Sequence, residues 1–317
     1  MILSQMLKNY KIFTLHNMIN NKEKLLTIIT PTYNRGYIIN KAFESLQKQS
    51  DTNFVWMIVD DGSTDNTESL VSNFISKSSF QIVYIKQNNG GKHRALNTGI
   101  KQITTELTLI LDSDDYLLPK AVEIVHLYWR EVQENKDVAY MSFLRAYPDG
   151  QIIGDNYPEE SMISNHIIMC INGKVRGDKS EVYRTSVLKE NLFPEIDGER
   201  FLSEGVVWNK IGKQYKAYYR NLPIYVTEYL EDGLTKSSMK LRLANPIGAM
   251  MFANECISYE YTFMNQVKYA ILYDLFYISA YRLKTLSQCE TKFDLLRLVV
   301  FPISLVYYIK LKISGLC

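Results

Sequence analysis

The sequence predicts an α/β fold in which a mainly parallel sheet is covered by helices on both faces. Apolar, strand-like runs alternate with amphipathic, helix-like segments from about residue 25 to residue 143. The strand-like runs are continuously apolar, which is typical of strands buried on both sides in a parallel sheet. A polar cluster follows each of the first four runs, where ligands bind in sheets of this kind. These observations indicate a Rossmann-like fold with a site at one edge of its sheet.

The individual elements follow from the spacing of apolar residues. In the second helix Leu70, Val71 and Phe74 lie at helical spacing, and we expect Ser63 or Thr64 to cap that helix. A proline opens the fourth helix. The predicted strands are LLTIIT, FVWMIVDD, FQIVYIK, ELTLILD and VAYMSF, and the helices between them are YIINKAFESLQKQ, STDNTESLVSNFISK, HRALNTGIKQ and PKAVEIVHLYWREVQ.

The composition is that of an ordinary folded protein. The chain has 317 residues, of which 46% are hydrophobic and 22% charged, and its formal net charge is +2. A charge so close to neutrality gives no reason to expect a nucleic acid partner. The four cysteines form no CxxC pair, which favours a reduced, cytoplasmic chain over a disulfide framework or a zinc site; they are Cys170, Cys256, Cys289 and Cys317.

Three regions are predicted along the chain. Residues 1–22 are expected to form an N-terminal extension, residues 23–240 the domain that carries the site, and residues 241–317 a helical region. The polar segment EYLEDGLTKSS, from residue 228 to residue 238, is either a lid that orders over a ligand or a linker. The apolar run 298–309 is too short to span a bilayer. Its basic flanks fit peripheral contact with a membrane, and the alternative is a helix docked on the domain or on a second subunit of a homo-oligomer.

Three aspartates within four positions follow the fourth strand, in the stretch LILDSDDYLLP. Residues two apart in a strand point the same way, so Asp112 and Asp114 are expected to present carboxylates to one site. Their mutual repulsion would be offset by Mn²⁺ or Mg²⁺, which bind one or two carboxylates together with phosphates. Such an ion would steady a diphosphate leaving group as a Lewis acid. The alternative is a solvated turn in which Asp115 caps the helix that starts near Pro119.

Each of the other three polar clusters has two interpretations, one as a ligand-binding site and one as a purely structural feature. A carboxylate of Asp60 or Asp61, at the end of the second strand, is placed to accept a hydrogen bond from a nucleobase. In NNGGKHRALN, Gly91 allows close backbone approach and Lys92 and Arg94 would form a cationic edge near phosphates; the alternative is a glycine turn before a helix with exposed cations. In TPTYN, the aromatic residue is either a stacking platform for a base or a plain loop residue.

These motifs, in the order TIITPTYNR, VDDGSTDNT, NNGGKHRALNTGI and LILDSDDYLLP, resemble family two glycosyltransferases of the A-type fold, which are inverting and use nucleotide sugars. The second half resembles a bacterial branch that builds capsular, exopolysaccharide or cell-wall glycans. The resemblance implies a UDP-sugar donor, a saccharide or lipid-linked glycan acceptor, and metal binding by Asp112 and Asp114. The donor-binding residues that it implies are Thr30, Pro31, Tyr33, Asp60, Asp61, Asn89, Gly91, Lys92, Arg94, Asp112 and Ser113.

The chain departs from the family pattern at two places. Many members have an arginine just before the asparagine of the third loop, and Leu96 stands there in this chain. Members also carry a Glu-Asp pair whose aspartate takes the acceptor's proton; in SEGVVWNK, Glu204 falls on that aspartate's position. Glu204 is therefore the expected base, and Asp178 in RGDKSE is the second candidate. The alternative for Glu204 is a first-turn carboxylate that the helix dipole favours.

Two other functions fit parts of the pattern. One is a catalytically inactive partner subunit that keeps the fold and binds nucleotide or glycan. Such a subunit is expected to lose the metal aspartates, and this chain retains them. The other is a sugar nucleotidyltransferase, which is expected to carry a glycine-rich basic loop after the first strand. The stretch TPTYNRG is not such a loop. The favoured interpretation is a transferase of hexosyl groups, located either in the cytoplasm or peripherally on the inner face of the cell membrane.

Overall fold

The computed structural model of the protein describes residues 11–14, 24–173, 175–229, 238–286 and 295–315. The described residues form two compact units. The first takes its residues from Met1–Asn165, Lys174–Leu192 and Tyr215–Glu228, and the second from His166–Gly173, Phe193–Gln214 and Tyr229–Cys317. The predicted range 23–240 therefore contributes residues to both units. The segment 228–238, for which we predicted a lid or a linker, lies mostly outside the described residues.

The first unit contains the sheet, and its alternation of strands and helices confirms the predicted α/β class. Within the described residues, its strands are β1 (Lys11–Thr14), β2 (Leu26–Thr32), β3 (Phe54–Asp60), β4 (Gln81–Lys86), β5 (Leu107–Ile110), β6 (Tyr116–Leu117), β7 (Val138–Ala146), β8 (Ser161–Asn165), β9 (Lys179–Arg184) and β10 (Lys216–Val226). Its helices are α1 (Asn40–Gln47), α2 (Thr67–Lys77), α3 (Lys92–Gln102), α4 (Ala121–Val132) and α5 (Thr185–Glu190).

The sheet is mixed rather than wholly parallel. The strand order is β1-β4-β3-β2-β5-β9-β7-β10-β6, and β8 pairs with β10. The pairs β4–β3, β3–β2, β2–β5 and β7–β10 are parallel, which places the carboxyl ends of β2 to β5 at one edge. Strand β9 runs antiparallel between β5 and β7, and β1 pairs antiparallel with β4.

A continuous apolar core holds the helices on this sheet. The side chains of β2 and β3 are buried along their whole length, as expected for strands covered on both faces. Trp56 on β3 lies near the rings of Phe43 and Phe74, whose centroids are 4.3 Å apart. On the other face, Gly99 of α3 is so close to β2 that an added Cβ would lie 2.3 Å from Cδ1 of Ile29. Glycine therefore permits the close approach of this helix.

The structure corrects three details of the predicted elements. Strand β5 ends at Ile110, and residues 112–115 form a turn in which the N–H of Asp115 donates to the carbonyl of Asp112 at 3.1 Å. Neither Ser63 nor Thr64 caps α2, because that helix begins later, at Thr67. Instead the carboxylate of Asp65 accepts hydrogen bonds from the backbone and the hydroxyl of Thr67 at 3.1 and 2.6 Å.

A capping role for Asp115 is also wrong. Helix α4 begins at Ala121, and its first-turn N–H of Val122 donates to Oε1 of Gln49 at 3.1 Å. The carboxylate of Asp115 instead accepts a hydrogen bond from Thr227 at 3.2 Å and another from the backbone N–H of Glu228 at 3.3 Å. It therefore joins the turn after β5 to the end of β10.

The second unit is helical. It comprises a π-helix (Ile167–Asn172) and helices α6 (Gly205–Gln214), α7 (Ser238–Ala244), α8 (Pro246–Glu255), α9 (Phe263–Leu283) and α10 (Leu295–Ile313). Helices α7 to α10 enclose a core that includes Met250, Leu275 and Phe276. The predicted C-terminal helices are thus confirmed over the described residues. Among these residues, no helix combines the length and the apolar character that crossing a bilayer requires.

Candidate active site

The loops after β2 and β3 are joined by hydrogen bonds between their polar residues. Asn34 has a positive φ of 52°, and its backbone N–H donates to the hydroxyl of Ser63 at 2.8 Å. The side-chain oxygen of Asn34 accepts a hydrogen bond from the backbone of Thr64 at 2.8 Å. The backbone of Gly36 donates to the carboxylate of Asp65 at 2.9 Å. The first two predicted motifs therefore form one connected surface.

Asp60 is a buried residue that holds the end of β3. One carboxylate oxygen accepts the backbone N–H of Ser63 at 2.7 Å, and the other accepts the hydroxyl of Tyr84 at 2.5 Å. Both oxygens thus have partners within the protein. Burial and this carboxylate raise the pKa of the Tyr84 phenol, because both disfavour a second negative charge there.

Asp61 fixes the third loop through its carboxylate. Its two oxygens accept hydrogen bonds from the backbone of Gly90 and Gly91 at 2.9 and 2.7 Å, and from the side chains of Gln87 and Asn89 at 2.7 and 3.2 Å. A carboxylate that accepts backbone N–H groups is a strong anchor. This carboxylate therefore sets the shape of the segment that leads into α3.

Gly62 allows the second and third loops to meet. Its φ is 83°, and an added Cβ would lie 2.9 Å from the backbone nitrogen of Asn89. Any other residue would be strained there and would push the third loop away. Gly91, with a φ of 99°, then turns the chain into α3, whose first residue is Lys92.

Lys92 connects the third loop to the fourth. Its Nζ lies 2.6 Å from Oδ1 of Asp112, and about three tenths of each side chain is exposed. Burial would raise the pKa of Asp112, but the charges of Lys92 and Arg145 outweigh it and hold this pKa below its ordinary value. Asp112 therefore carries a negative charge, and a cation lies against it.

The other two aspartates of the turn are less well compensated. Burial and the Asp112 carboxylate raise the pKa of Asp114. The same two causes raise the pKa of Asp115 to about 7, although Nη1 of Arg145 lies 3.6 Å from its carboxylate. Repulsion from the Asp112 charge thus adds to the effect of burial at both carboxyl groups.

Two residues of the site were not predicted from the sequence. Tyr225 of β10 accepts the backbone N–H of Asp112 through its hydroxyl at 2.9 Å. The guanidinium of Arg145 lies 4.0 Å from the centre of the Tyr225 ring and donates to the carbonyl of Lys179 at 2.7 Å. Both residues lie outside the four motifs. The sequence offers a physical signal for Arg145 alone, since a cluster of acids requires a cation nearby.

The donor set of the turn fits a small divalent cation. Among the described residues, no group of three or more histidine, cysteine or acidic side chains could by itself hold a metal ion. Mg²⁺ and Mn²⁺ do not require such a group, because they bind one or two carboxylates and complete their shell with water and phosphate oxygens. Burial and the Asp112 charge raise the pKa of Asp114, and a bound cation would offset the second of these two causes.

The remaining predicted donor-binding residues differ in how far they can reach a ligand. The hydroxyl of Thr30 is buried and accepts the indole N–H of Trp56 at 2.9 Å. Pro31 and Ser113 are buried, and Arg94 is half-buried on α3. The side chain of Tyr33 is 47% exposed, so its ring is accessible for stacking.

The two candidate bases lie in different units. Glu204 belongs to the second unit, directly before α6, where its carbonyl accepts the backbone N–H groups of Val207 and Trp208 at 3.0 and 3.2 Å. Its side chain is half-buried. Asp178 belongs to the first unit and is exposed just before β9. The choice between them stays a prediction.

The chain is similar to bacterial glycosyltransferases, among them TarS and GlyA. The chain is 29% identical over 175 residues to poly(ribitol-phosphate) beta-N-acetylglucosaminyltransferase TarS of Staphylococcus aureus, a match that covers 53% of this chain and 29% of TarS. It is 33% identical over 224 residues to glycosyltransferase GlyA of Streptococcus pneumoniae, covering 68% of this chain and 28% of GlyA. The chain thus spans less than a third of the length of either relative.

The comparison with solved structures and the match to a family model agree with the similarity to these two relatives. A crystal structure of S. aureus TarS 1–349 in complex with UDP-GlcNAc superposes with a TM-score of 0.56 at 20% identity, covering 90% of this chain and 81% of that one. This likeness confirms the predicted A-type fold. The family model for glycosyl transferase family 2 matches residues 27–191, which include all four loops of the site. The chain therefore belongs to glycosyl transferase family 2.

Proposed function

We propose that the protein is an inverting glycosyltransferase that moves a sugar from a UDP-sugar to a saccharide or lipid-linked glycan acceptor in the synthesis of bacterial surface polysaccharide, either a cell-wall glycan or a capsule. The observation that carries this proposal is the continuous hydrogen-bonded surface of the four loops, which ends at the Lys92–Asp112 ion pair. Family membership supports a role of this surface in sugar transfer, because the matched range contains every loop that contributes to it.

The donor is a nucleoside diphosphate sugar that lies along these loops. TarS, whose structure resembles this chain, binds UDP-GlcNAc. The exposed ring of Tyr33 would stack on the uracil. Because the Asp60 and Asp61 carboxylates already accept hydrogen bonds within the protein, their contribution to base binding would be to hold neighbouring backbone groups in place.

Two cationic groups would neutralise the diphosphate: a divalent cation at the Asp112 turn and the ammonium of Lys92. Asp112 and Asp114 would hold Mn²⁺ or Mg²⁺, which supplies Lewis-acid stabilisation of the leaving diphosphate when bound. Lys92 begins α3, where backbone N–H groups and the helix dipole favour an anion. We therefore assign to Lys92 the positive charge that other family members obtain from the arginine that Leu96 replaces.

Glu204 is the proposed base, with Asp178 as the second candidate. Inversion requires a base on the face of the sugar opposite the leaving group, where it takes the proton of the attacking hydroxyl. Glu204 directly precedes α6, and its half-buried carboxylate is the group we assign to take that proton.

The proposed activity is tested by incubating the protein with a panel of UDP-sugars and Mn²⁺ and measuring UDP release with and without saccharide acceptors. We expect release from one donor, and faster release when the right acceptor is present. Absence of release with every donor and acceptor would overturn the proposal in favour of an inactive partner subunit. Release of pyrophosphate from a sugar phosphate and UTP would favour a nucleotidyltransferase.

The base is tested by comparing Glu204→Gln, Asp178→Asn and the control Glu190→Gln, which changes an exposed carboxylate on α5. We expect Glu204→Gln to slow transfer by roughly 10²–10⁴-fold while donor affinity changes little. If the Asp178→Asn variant is the one that loses transfer, the base is Asp178. If Glu204→Gln lowers only stability, by about 1 kcal/mol, the carboxylate acts through the helix alone.

A further inference from the structure

Helix α10, from Leu295 to Ile313, packs on its own unit through one narrow stripe. The buried residues of this helix are Val300, Ser304, Tyr308 and Leu311, which recur every three or four positions and therefore lie on one face. Tyr308 and Leu311 belong to the core that α7, α8 and α9 enclose. The stripe contains a hydroxyl and a phenol, so the packed face of the helix is only partly apolar.

A buried ion pair fixes which face of α10 points inward. Nε and Nη2 of Arg297 each lie 3.0 Å from Oδ1 of Asp274, a residue of α9 that is 1% exposed. The guanidinium also lies 3.7 Å from the centre of the Tyr273 ring. Rotation of α10 about its axis would remove the partner of a buried charge, which is strongly unfavourable. The opposite face of the helix is therefore held outward.

That outward face is almost entirely apolar. From Leu298 to Ile309 the sequence contains no charged residue. Proteins in water seldom leave a continuous apolar surface of this kind without a partner. Its members are exposed by 37% to 83% and are Leu295, Leu298, Val299, Phe301, Ile303, Leu305, Val306, Ile309 and Ile313. We call these nine residues the apolar face of α10.

The exposed charges within α9 and α10 have one sign. Helices α9 and α10 contain a single carboxylate, Asp274, which is buried against Arg297. Lys310 and Lys312 are exposed in the last turn of α10. Lysines beside an exposed apolar helix face are the arrangement that binds an anionic lipid surface. A second copy of the chain would bring the same cations to the contact, where they would repel one another.

We propose that α10 is an interfacial helix that lies in the surface of an anionic lipid bilayer, with its apolar face among the acyl chains and Lys310 and Lys312 among the lipid phosphates. The ion pair between Asp274 and Arg297 keeps the helix docked on α9 while the opposite face enters the lipid. Because this inference depends only on α10 and its docking on α9, it goes beyond the proposed transfer reaction and does not require it.

The apolar part of the proposal is tested by co-sedimentation of the full chain with phosphatidylglycerol/phosphatidylcholine vesicles. We expect the double variant Val299→Glu, Val306→Glu to bind at least about tenfold more weakly than the wild type. The control is Leu127→Glu, which places one such carboxylate at a 51%-exposed leucine on α4 in the other unit. This control variant is expected to bind as the wild type does.

The electrostatic part is tested with Lys310→Gln, Lys312→Gln. Each lysine near an anionic surface contributes about 1 kcal/mol, so we expect the partition coefficient on phosphatidylglycerol vesicles to fall about 30-fold. Binding to vesicles of phosphatidylcholine alone is expected to be weak for both wild type and variant. Raising the salt concentration should reduce wild-type binding in the same direction as the double substitution.

Three outcomes would overturn the proposal. The wild type does not sediment with anionic vesicles, or the Val299→Glu, Val306→Glu variant sediments as the wild type does, or light scattering shows a wild-type dimer that this variant dissociates without any vesicle binding. UDP release measured without vesicles reports on the proposed transfer reaction separately. None of these substitutions touches the candidate active site, so the two proposals can fail independently.

Discussion

Two acidic clusters follow two strands that both pair with β2, and their surroundings are opposite. After β3, each carboxylate oxygen of Asp60 and Asp61 accepts a hydrogen bond from a donor within the protein. After β5, Asp112 pairs with Lys92, while the pKa values of Asp114 and Asp115 are raised by burial and by the Asp112 charge. The first cluster is satisfied within the protein, whereas in the second Lys92 and Arg145 offset the burial and the repulsion of the carboxyl groups only in part.

The difference shows how a structural acid can be distinguished from one that is available to a ligand. Backbone amides near Asp61 give its charge a permanent partner, so this residue shapes the loops. Repulsion at the turn after β5 costs folding energy that a bound cation would recover. In sequence the stretches VDD and LDSDD look alike. The position of the nearby N–H donors separates them, and four predictions follow from that separation.

The largest effect is expected for Asp114→Asn. Loss of a proposed ion ligand should slow sugar transfer by about 10²–10³-fold, because several kcal/mol of charge stabilisation is removed from the transition state. The free energy of unfolding should stay the same or rise, since a repulsive charge is removed. Transfer rate and urea denaturation are measured for this variant and for Asp137→Asn, a 70%-exposed control. Unchanged transfer would place the ion elsewhere.

For Asp61→Asn, in contrast to Asp114→Asn, the main expected effect is a loss of stability. The amide would face the N–H groups of Gly90 and Gly91 with one acceptor oxygen instead of two. We expect the free energy of unfolding to fall by about 2–3 kcal/mol. Urea denaturation measures this change. If the variant is as stable as the Asp114→Asn variant, the contrast between the clusters is wrong.

An effect of similar size is expected from ligand stabilisation. Mn²⁺ with UDP, at about 100 times the dissociation constant, should stabilise the wild type by about 2.7 kcal/mol against unfolding. The Asp114→Asn variant should show little of this gain, because a proposed ion ligand is lost. Thermal unfolding with Mn²⁺, with UDP and with both separates the two ligands. An equal gain in both proteins would exclude Asp114 as a ligand.

The smallest effect is expected for Tyr225→Phe, which removes the hydroxyl that accepts the Asp112 N–H and keeps the ring against Arg145. Loss of this hydrogen bond should weaken binding of UDP with Mn²⁺ about fivefold, which corresponds to about 1 kcal/mol. Calorimetric titration measures the affinity. The control is Tyr218→Phe on the same strand, whose hydroxyl donates to Glu131. Equal affinities in the two variants would mean that Tyr225 does not position the turn.

Local patterns predicted most of the first unit. The strands β2 to β5 and the helices between them were predicted because their apolar periods are local properties of the chain. The spacing of Asp112 and Asp114 led to a wrong detail, since that argument assumed a strand where the structure has a turn. Those residues nevertheless lie together, because a turn of four residues also brings side chains close.

Contacts between distant residues were beyond the sequence. Arg145 and Tyr225 meet the turn after β5 from strands that follow it by tens of residues, and no local period marks them. The four hydrogen bonds to Asp61 depend on how β3 and β4 align, which is a property of the folded sheet. Sequence patterns thus indicated which loops form the site, while the partners of each charge required coordinates.

The close packing of Gly99 on β2 has a consequence for Lys92, at the other end of the same helix. Because that glycine lets α3 lie directly on Ile29, the height of the helix above the sheet also sets how far the ammonium at its first residue can extend. A methyl group at this position would move helix α3 away from the sheet by a fraction of an ångström. This shift would weaken the ion pair between Lys92 and Asp112. The absence of a Cβ at Gly99 therefore affects the Lys92–Asp112 ion pair at the edge of the sheet.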